Sequence, residues 1–234
     1  MYKGKVIYLG NREIVSEPLE QSALEIKKPS GMYLFLKRAM DLLGAMVGLI
    51  IFSPVFLLIS ILYMAGDNKG PVFFKQVRMG KDGNEFYIYK FRSMVVNAEE
   101  KLKGNRILYK KYIDNNYKLE PNEDPRITRA GQFLRKTSLD ELPQFLNVLK
   151  GEMSLVGPRP VVQEELIEYD ERKNEFLSVK PGLTGYWQVS GRSDVGYPER
   201  VDLELYYVYN ASLWFDIKIL LLTVKNVVVG RGAY

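Results

Sequence analysis

Cysteine and histidine are both absent from the 234 residues of this chain. Without cysteine there are no disulfides and no thiol nucleophiles, and without either residue the usual zinc sites are excluded. The lack of histidine also removes every imidazole base. Any catalysis must therefore use carboxylates, lysine, arginine, tyrosine, serine or threonine.

Glycine-rich phosphate loops are also missing, because neither GxGxxG nor GxxxxGK[ST] occurs in the sequence. This disfavours dinucleotide-binding and P-loop ATPase folds. The N-terminal stretch has charges inside its short apolar run and no small-residue cleavage site, so no signal peptide is expected. The net charge of +5 indicates an acidic partner, which could be nucleic acid, an anionic lipid surface or a phosphorylated substrate.

One long stretch lacks charge altogether, since residues 42–66 contain no Asp, Glu, Lys or Arg over 25 positions. A straight helix of this length would measure about 37 Å, which exceeds the roughly 30 Å hydrocarbon core of a bilayer. Ser53 and Pro54 lie at its midpoint, where an interior proline kinks or breaks a helix. The run predicts a re-entrant hairpin, a kinked spanning helix or a buried soluble helix.

The charges flanking this run give no preferred orientation. Four lysine or arginine residues precede it within residues 22–41, and four follow it within residues 67–86. A spanning helix usually has more of these residues on its cytoplasmic side. The equal numbers favour a re-entrant hairpin, in which the helix breaks at Pro54 and both flanks stay on one side of the membrane.

The remaining sequence predicts several helices and one β-hairpin. A short strand is expected at residues 5–9, and runs of aromatic and β-branched residues around Asp82-Gly83 predict the hairpin. Helices are expected at residues 97–103, 129–134, 140–150 and 161–179, and a glycine-rich loop at 181–192. Near the C-terminus, charges interrupt an apolar segment, which predicts an interfacial amphipathic or core helix. The fold class is therefore α+β, mostly helical and membrane-associated.

Two adjacent carboxylates, Asp140 and Glu141, follow Ser138. The spacing from Ser138 to Glu141 is that of a helix capping box, which needs only one acid. Asp140 then has no capping role, although it would lie in a first helical turn whose backbone donors favour anions. A phosphate or metal site is therefore the alternative to simple capping.

Several basic residues stand in turns or at the ends of predicted elements. They are Lys90, Arg92, Arg135, Arg159 and Arg192. Scattered cations usually form a solvated surface, but side chains held in such positions can converge on one pocket. Arg159 is the clearest candidate, because prolines on both sides restrict its backbone and a guanidinium suits bidentate phosphate binding.

Paired carboxylates, cations and a membrane segment together indicate transfer of a phosphorylated group to or from a lipid. An aspartate can accept a phosphoryl group covalently. Mg²⁺ held by Asp140, Glu141 and substrate phosphates would neutralise a pyrophosphate. Two other hypotheses stay open: a membrane-bound scaffold that binds anionic lipid or nucleic acid, and a hydrolase of lipid-linked pyrophosphates.

Eight features occur in order between about residues 33 and 234: KRAMDLL, the Ser53-Pro54 pair, GPVFFKQVRMG, YKFRSM, TSLDELPQ, SLVGPRP, GLTGYWQVSGR and SLWFDIKIL. Together they resemble the bacterial sugar transferases known as monotopic polyprenyl-phosphate phosphoglycosyl transferases. The resemblance implies a re-entrant membrane helix at residues 33–66 and a cytoplasmic catalytic domain at 67–234. Residues 1–32 form an extension without a counterpart in these motifs.

The same resemblance implies a reaction, in which a sugar 1-phosphate passes from a UDP-sugar to undecaprenyl phosphate with Mg²⁺. Asp140 would be the nucleophile of a ping-pong mechanism and Glu141 the partner associated with Mg²⁺. The implied phosphate and nucleotide contacts are Lys90, Arg135, Arg159 and Arg192, and the membrane hairpin would involve Lys37, Arg38, Asp41, Ser53 and Pro54.

Partners and location follow from the resemblance as well. The closing GRGAY is similar to relatives that act on UDP-galactose or UDP-glucose. The expected location is the cytoplasmic face of a bacterial inner membrane, in contact with lipid. No nucleic-acid partner is expected, and a homodimer is left open.

Overall fold

A computed structural model describes residues 7–9, 12–14, 29–64, 66–114, 119, 123–190 and 195–229. The helices are α1 (Gly31–Leu62), α2 (Ala98–Lys103), α3 (Arg106–Asp114), α4 (Arg129–Thr137), α5 (Gln144–Lys150), α6 (Lys173–Phe176), α7 (Tyr186–Ser190), α8 (Glu199–Asn210) and α9 (Leu213–Val229). The strands are β1 (Ile7–Leu9), β2 (Arg12–Ile14), β3 (Phe73–Met79), β4 (Glu85–Phe91), β5 (Ser154–Val156) and β6 (Gly182–Thr184). The predicted mixture of helices and strands is confirmed.

Strands β3 and β4 form the predicted antiparallel hairpin, with Phe73 opposite Phe91 and Met79 opposite Glu85. The connecting turn contains Asp82 at φ 58° and Gly83 at φ 78°. Both angles lie in the left-handed region, which glycine and aspartate adopt more readily than most residues. The Asp-Gly pair therefore marks the turn correctly.

The other sheets are small. Strands β1 and β2 pair in antiparallel fashion, so the strand expected near residue 9 is present at Ile7–Leu9. Strands β5 and β6 pair in parallel, with Ser154 opposite Gly182 and Val156 opposite Thr184. The pairing of β5 with β6 was not predicted, because strands of three residues are too short to show an alternating pattern.

Helix α1 continues through Pro54 without a residue of non-helical geometry. Proline removes the N–H that would donate to the carbonyl of Ile50, four residues earlier. The hydroxyl of Ser53 donates to that carbonyl instead, at 2.8 Å. The prediction of two helices separated by a break is therefore wrong: the serine satisfies the acceptor that proline leaves free.

One face of α1 packs on the rest of the protein and the other is bare. A Cβ added to Gly48 would lie 2.6 Å from the Phe145 ring, so α5 approaches α1 closely at this point. Phe56 packs edge to face on Phe91 of β4, with ring centroids 4.9 Å apart. On the opposite face, apolar side chains such as Ile50 are exposed. Helix α1 is long and apolar enough to cross a membrane.

Helix α9 also has one buried face and one exposed apolar face. Ile219 is fully buried, whereas Trp214, Leu221 and Val224 are exposed at helical spacing. This agrees with an amphipathic helix that packs on the core through one face. Apolar faces of this size usually contact another protein or a membrane.

The predictions of two helices and one loop need correction. The α-helix expected from residue 140 begins at Gln144 and is preceded by a 3₁₀ turn, Leu139–Glu141. The single helix expected at residues 161–179 is a 3₁₀ segment, Gln163–Arg172, followed by α6. In the segment 181–192, expected to be a loop, Gly182–Thr184 is strand β6 and Tyr186–Ser190 is helix α7. Helix α3 was not predicted, because its sequence is largely polar.

Candidate active site

Asp140 and Glu141 lie in the short 3₁₀ turn between α4 and α5. Ser138 ends α4 in the left-handed conformation, at φ 57°, and its side chain caps no backbone N–H of the turn. The predicted capping box is therefore absent. The left-handed residue interrupts the helix before the carboxylates, and this frees both of them for other contacts.

Glu141 is held by Lys90 of β4, with Nζ 2.7 Å from Oε1. Burial tends to raise the pKa of Glu141, but the charge of Lys90, their hydrogen bond and the charge of Arg159 together lower it. Glu141 therefore stays ionised at neutral pH. Lys90 and a side-chain hydrogen bond from Gln144 therefore both hold this carboxylate.

Asp140 is only 9 % exposed. Burial and the neighbouring Glu141 raise its pKa to about 6, although Lys90 and Arg135 lower it in part. At pH 7 the carboxylate is mostly ionised yet poorly solvated. An ionised carboxylate in such a desolvated position costs the fold free energy. Carboxylates with a pKa close to neutral are therefore found mostly at functional sites.

Arg135 projects from the last turn of α4, and its Nε donates to Ser93 Oγ at 2.8 Å. Within the described part of the chain its guanidinium makes no ion pair, while its charge acts on Asp140. Ser93 thus orients the arginine and leaves most of its donors free. Such a group can accept an anion next to Asp140.

Arg159 lies on the loop that follows β5, and glycine packing fixes the path of that loop. A Cβ on Gly182 would lie 2.1 Å from the backbone nitrogen of Gly157, and one on Gly185 would lie 2.1 Å from the Gly157 carbonyl oxygen. Only glycine permits so close a crossing. The GLTG stretch therefore has a structural role here, because it supports the loop that carries Arg159.

The guanidinium of Arg159 lies 5.8 Å from the centre of the Trp187 ring. Its backbone N–H donates to Glu204 Oε1 at 3.3 Å. Among the described residues its side chain has no carboxylate partner within ion-pair distance. The loop is thus held through its backbone, while the charge remains available.

Two further arginines belong to this region and were missed in the sequence. Alternation along the hairpin places Arg78 of β3 on the same face as Lys90 of β4. Arg200 of α8 lies 4.5 Å from the Trp187 ring and pairs with the buried Glu204 at 3.2 Å. The hairpin register could have indicated Arg78, whereas the position of Arg200 depends on tertiary packing.

Arg92, in contrast, has a structural role. Its guanidinium donates to the carbonyls of Pro71 at 2.8 Å and of Met94 at 2.7 Å, and it also binds the carbonyl of Asn68. These contacts fasten the connection between α1 and the hairpin. Arg192 lies outside the described residues.

The charged residues at the start of α1 attach this helix to the rest of the fold. Arg38 donates to the carbonyls of Val148 and Leu149 at 2.7 and 2.9 Å. Asp41 accepts from the side chain of Ser154 and the backbone of Leu155, both at 2.9 Å. These four hydrogen bonds place α5 and β5 against the N-terminal half of α1.

Lys37 makes a third attachment. Its ammonium donates to the Val156 carbonyl at 3.0 Å and to Asp216 of α9 at 2.9 Å. Tyr207 also donates to Asp216, at 2.7 Å. The buried carboxylate therefore joins α1, α8 and α9 at the point where β5 ends.

The carboxylates fit a magnesium ion that is shared with a substrate. No group of three or more metal-binding side chains occurs in the described ranges, so a cage made by protein alone is not found there. Mg²⁺ commonly uses one or two carboxylates together with substrate phosphates. Asp140 and Glu141 provide two carboxylates, and Lys90 engages one of their four oxygens.

The sequence is similar to those of one family of known proteins. A family model described as bacterial sugar transferase matches residues 32–230. The undecaprenyl-phosphate galactose phosphotransferase of Salmonella typhimurium is 49 % identical over 86 % of this chain and 42 % of its own length. The UDP-galactose-lipid carrier transferase of Erwinia amylovora is 47 % identical over 86 % and 42 %.

A third relative is matched over most of its length. The exopolysaccharide production protein ExoY of Rhizobium meliloti is 46 % identical over 85 % of this chain and 88 % of its own length. The chain therefore spans less than half the length of the first two relatives and nearly all of the third.

Proposed function

Since this chain belongs to the bacterial sugar transferase family, we propose that it transfers a sugar 1-phosphate from a UDP-sugar to undecaprenyl phosphate and releases UMP. The names of the Salmonella and Erwinia relatives supply the two substrates. The observation that carries the proposal is the buried Asp140, with its pKa near 6, beside the Lys90–Glu141 pair and the guanidinium of Arg135, which has no ion-pair partner in the described part of the chain.

In the first half reaction an oxygen of Asp140 attacks the phosphorus next to the sugar. An aspartyl phosphosugar forms as the bond from phosphorus to the UMP oxygen breaks, and UMP leaves as an anion. The ionised carboxylate needs no base for this step. Lys90 and Arg135 supply positive charge beside the reacting phosphate, where charge-assisted hydrogen bonds are strong.

In the second half reaction an oxygen of undecaprenyl phosphate attacks the same phosphorus. The bond to Asp140 breaks, the carboxylate is restored and the lipid diphosphate sugar is released. Because one product leaves before the second substrate reacts, ping-pong kinetics are expected. Mg²⁺, held by Asp140 and Glu141 with the substrate phosphates, would supply charge neutralisation for the diphosphate.

The acceptor lipid requires that the site lie at a membrane surface. Helix α1 supports a monotopic arrangement, because both of its ends contact the same folded unit. Arg38, near its start, binds α5, and Tyr63, just after its end, binds the Arg92 carbonyl. A helix attached at both ends does not extend away from the catalytic unit, which supports placing both flanks of α1 on one side of the membrane. We propose that this side is the cytoplasmic face of the inner membrane.

The donor preference rests on relatives whose names specify galactose. We propose UDP-galactose, with UDP-glucose as the related alternative, because the two donors differ only in the configuration at one sugar carbon. A panel of UDP-sugars, assayed with undecaprenyl phosphate and Mg²⁺ and read by UMP release, tests this choice. Equal release with UDP-N-acetyl sugars would contradict it.

The decisive experiment on the mechanism separates the half reactions. Protein incubated with UDP-sugar and Mg²⁺ but no lipid should release one equivalent of UMP and gain one sugar phosphate on the peptide that contains Asp140. Asp140→Asn should lose both the adduct and turnover. Wild-type turnover in this variant, or UMP release only when both substrates are bound, would refute the covalent mechanism.

The monotopic arrangement has its own test, which the absence of native cysteine makes simple. Single cysteines at Ser30 and at Lys81 should both resist a membrane-impermeant thiol reagent in intact cells. Labelling at Ser30 alone would indicate a spanning helix.

A further inference from the structure

We infer that Arg78, Arg159 and Arg200 form a second anion subsite, which holds the nucleotide-side phosphate of the donor. The inference rests on the proposed function for the identity of the ligand. The subsite itself rests on contacts that the sequence motifs did not indicate. Arg78 lies on β3, Arg159 on the loop after β5 and Arg200 on α8. Arg159 and Arg200 both lie against the Trp187 ring, at 5.8 and 4.5 Å, and Arg78 donates to the Pro160 carbonyl beside Arg159 at 3.4 Å.

Unused hydrogen-bond donors are the first observation. Among the described residues, Arg78 Nε and an Nη of Arg200 are buried without any hydrogen-bond partner. Arg200 is 7 % exposed, and its guanidinium lies 4.8 Å from the Tyr197 ring. Buried donors of this kind normally find partners, because leaving one unpaired costs free energy. A phosphate offers several acceptor oxygens and would satisfy both.

The charges at this cluster are also unbalanced. Arg200 pairs with Glu204 at 3.2 Å, and Arg78 approaches Glu165 at 3.6 Å. Arg159 adds a third positive charge without a carboxylate partner in the described part of the chain. Clustered guanidinium groups repel each other, and the pKa of Arg78 is lowered by burial and by Arg159. An anion would relieve this repulsion.

Glu204 holds the cluster in place. This side chain is 1 % exposed and accepts from the Arg159 backbone, from Arg200 and from the Tyr169 hydroxyl. Glu204 is therefore a positioning residue that orients two of the three arginines. The Arg159 side chain makes no hydrogen bond to the described residues that would have to break, so its rotation can admit a ligand to the buried donors.

The arginine cluster and the Asp140–Glu141 carboxylates provide two separate positions for the phosphates of the donor. Lys90, which pairs with Glu141 at 2.7 Å, lies on the same face of the hairpin as Arg78. Arg78 in turn donates to the carbonyl of Pro160, the residue after Arg159, at 3.4 Å. A diphosphate can therefore place its sugar-side phosphorus at Asp140 and its other phosphate at the arginine cluster. When the bond between them breaks, negative charge increases on the second phosphate. Fixed guanidinium groups stabilise such developing charge.

Direct binding of UMP tests this subsite without any turnover. Purified protein is titrated with UMP and, separately, with uridine, which lacks the phosphate. Arg78→Gln should weaken UMP binding about ten- to hundred-fold, as expected for loss of a charge-assisted hydrogen bond, and should leave uridine binding unchanged. Arg172→Gln is the matched control, since Arg172 forms an exposed pair with Asp202 and should bind UMP like wild type.

Arg200 requires a paired design, because its removal would leave Glu204 as an unpaired buried carboxylate. The double variant Arg200→Gln/Glu204→Gln is therefore compared with Glu204→Gln alone. The double variant should bind UMP at least ten-fold more weakly than the single variant while both unfold at similar temperatures. This comparison separates the loss of a phosphate contact from a loss of fold.

Several outcomes would overturn the inference. One is UMP affinity within two-fold of the reference in both Arg78→Gln and the double variant. Another is weakened binding of a short polyprenyl phosphate with UMP binding intact, which would assign the cluster to the acceptor. Lipid-dependent UMP release by wild type decides the proposed function separately. If release occurs but the variants bind UMP normally, only the subsite is refuted.

Discussion

Replacing Asp140 by asparagine should make the protein more stable at neutral pH. Burial and the nearby Glu141 raise the Asp140 pKa from 3.8 to about 6, so the folded state disfavours the ionised form. Since one pKa unit corresponds to about 1.4 kcal/mol, the ionised carboxylate costs the fold about 3 kcal/mol. Asparagine keeps the size of the side chain and removes the charge.

The raised pKa also determines how the stability difference between the variant and wild type changes with pH. A carboxyl whose folded pKa is raised favours the fold fully below the unfolded pKa of 3.8, and this contribution is lost as pH rises through about 6. The stability difference between Asp140→Asn and wild type should therefore be small near pH 3.8, increase between about 4 and 6, and be constant above that. At pH 8 the variant should unfold roughly 6–12 °C higher.

Thermal unfolding in detergent across this pH range provides the measurement, with Mg²⁺ removed by a chelator. Added Mg²⁺ should reduce the difference, because a cation stabilises the ionised wild-type site. Asp202→Asn is the control, since Asp202 is exposed in its pair with Arg172 and should change stability little. A variant less stable than wild type at pH 8, or a pH-independent difference, would refute the assignment of Asp140 as a desolvated carboxylate.

Three further predictions concern the supports of the site. Ser53→Ala should destabilise the protein by about 0.5–1.5 kcal/mol in chemical unfolding, because it removes a hydrogen bond to a helix carbonyl, but should be nearly neutral in a Pro54→Ala background; equal costs in both backgrounds would contradict the proposed compensation. Gly182→Ala should lower the unfolding temperature, because its Cβ would collide with the neighbouring loop, whereas Gly196→Ala, which meets no atom within 4 Å, should not; similar behaviour of the two would argue against the close crossing. Lys90→Gln should shift the acidic limb of the UMP-release profile to higher pH, because Lys90 lowers the pKa of Asp140, the proposed nucleophile; an unmoved limb would contradict this.

Local sequence signals predicted the parts of the fold that depend on local chemistry. The Asp82-Gly83 turn, with strands on both sides, needs only favourable backbone angles and alternation, and it lies where expected. The start of α4 and the extent of α2 were also predicted to within one residue. In the site, the structure brings together Lys90, Asp140 and Glu141, as the motifs indicated.

Features that depend on a distant partner were not predictable. The capping-box spacing at Ser138 was misleading, because Lys90 binds Glu141 and Ser138 adopts a left-handed conformation. The Ser53-Pro54 pair indicated a break, yet the hydroxyl supplies a local replacement for the missing donor. Arg200 is an unremarkable helix residue in the sequence, and only packing against Trp187 places it in the arginine cluster.

Both ends of α1 are hydrogen-bonded to backbone that leads directly into the site. Lys37 donates to the Val156 carbonyl, three residues before Arg159. At the other end Tyr63 donates to the Arg92 carbonyl, which immediately precedes Ser93, the residue that orients Arg135. Under the proposed monotopic arrangement, the depth of α1 in the bilayer would set the height of Arg135 and Arg159 above the lipid. The proposed acceptor, whose phosphate lies at the membrane surface, would then meet Asp140 at a set height, because α1 is attached at both ends to backbone that leads to the site.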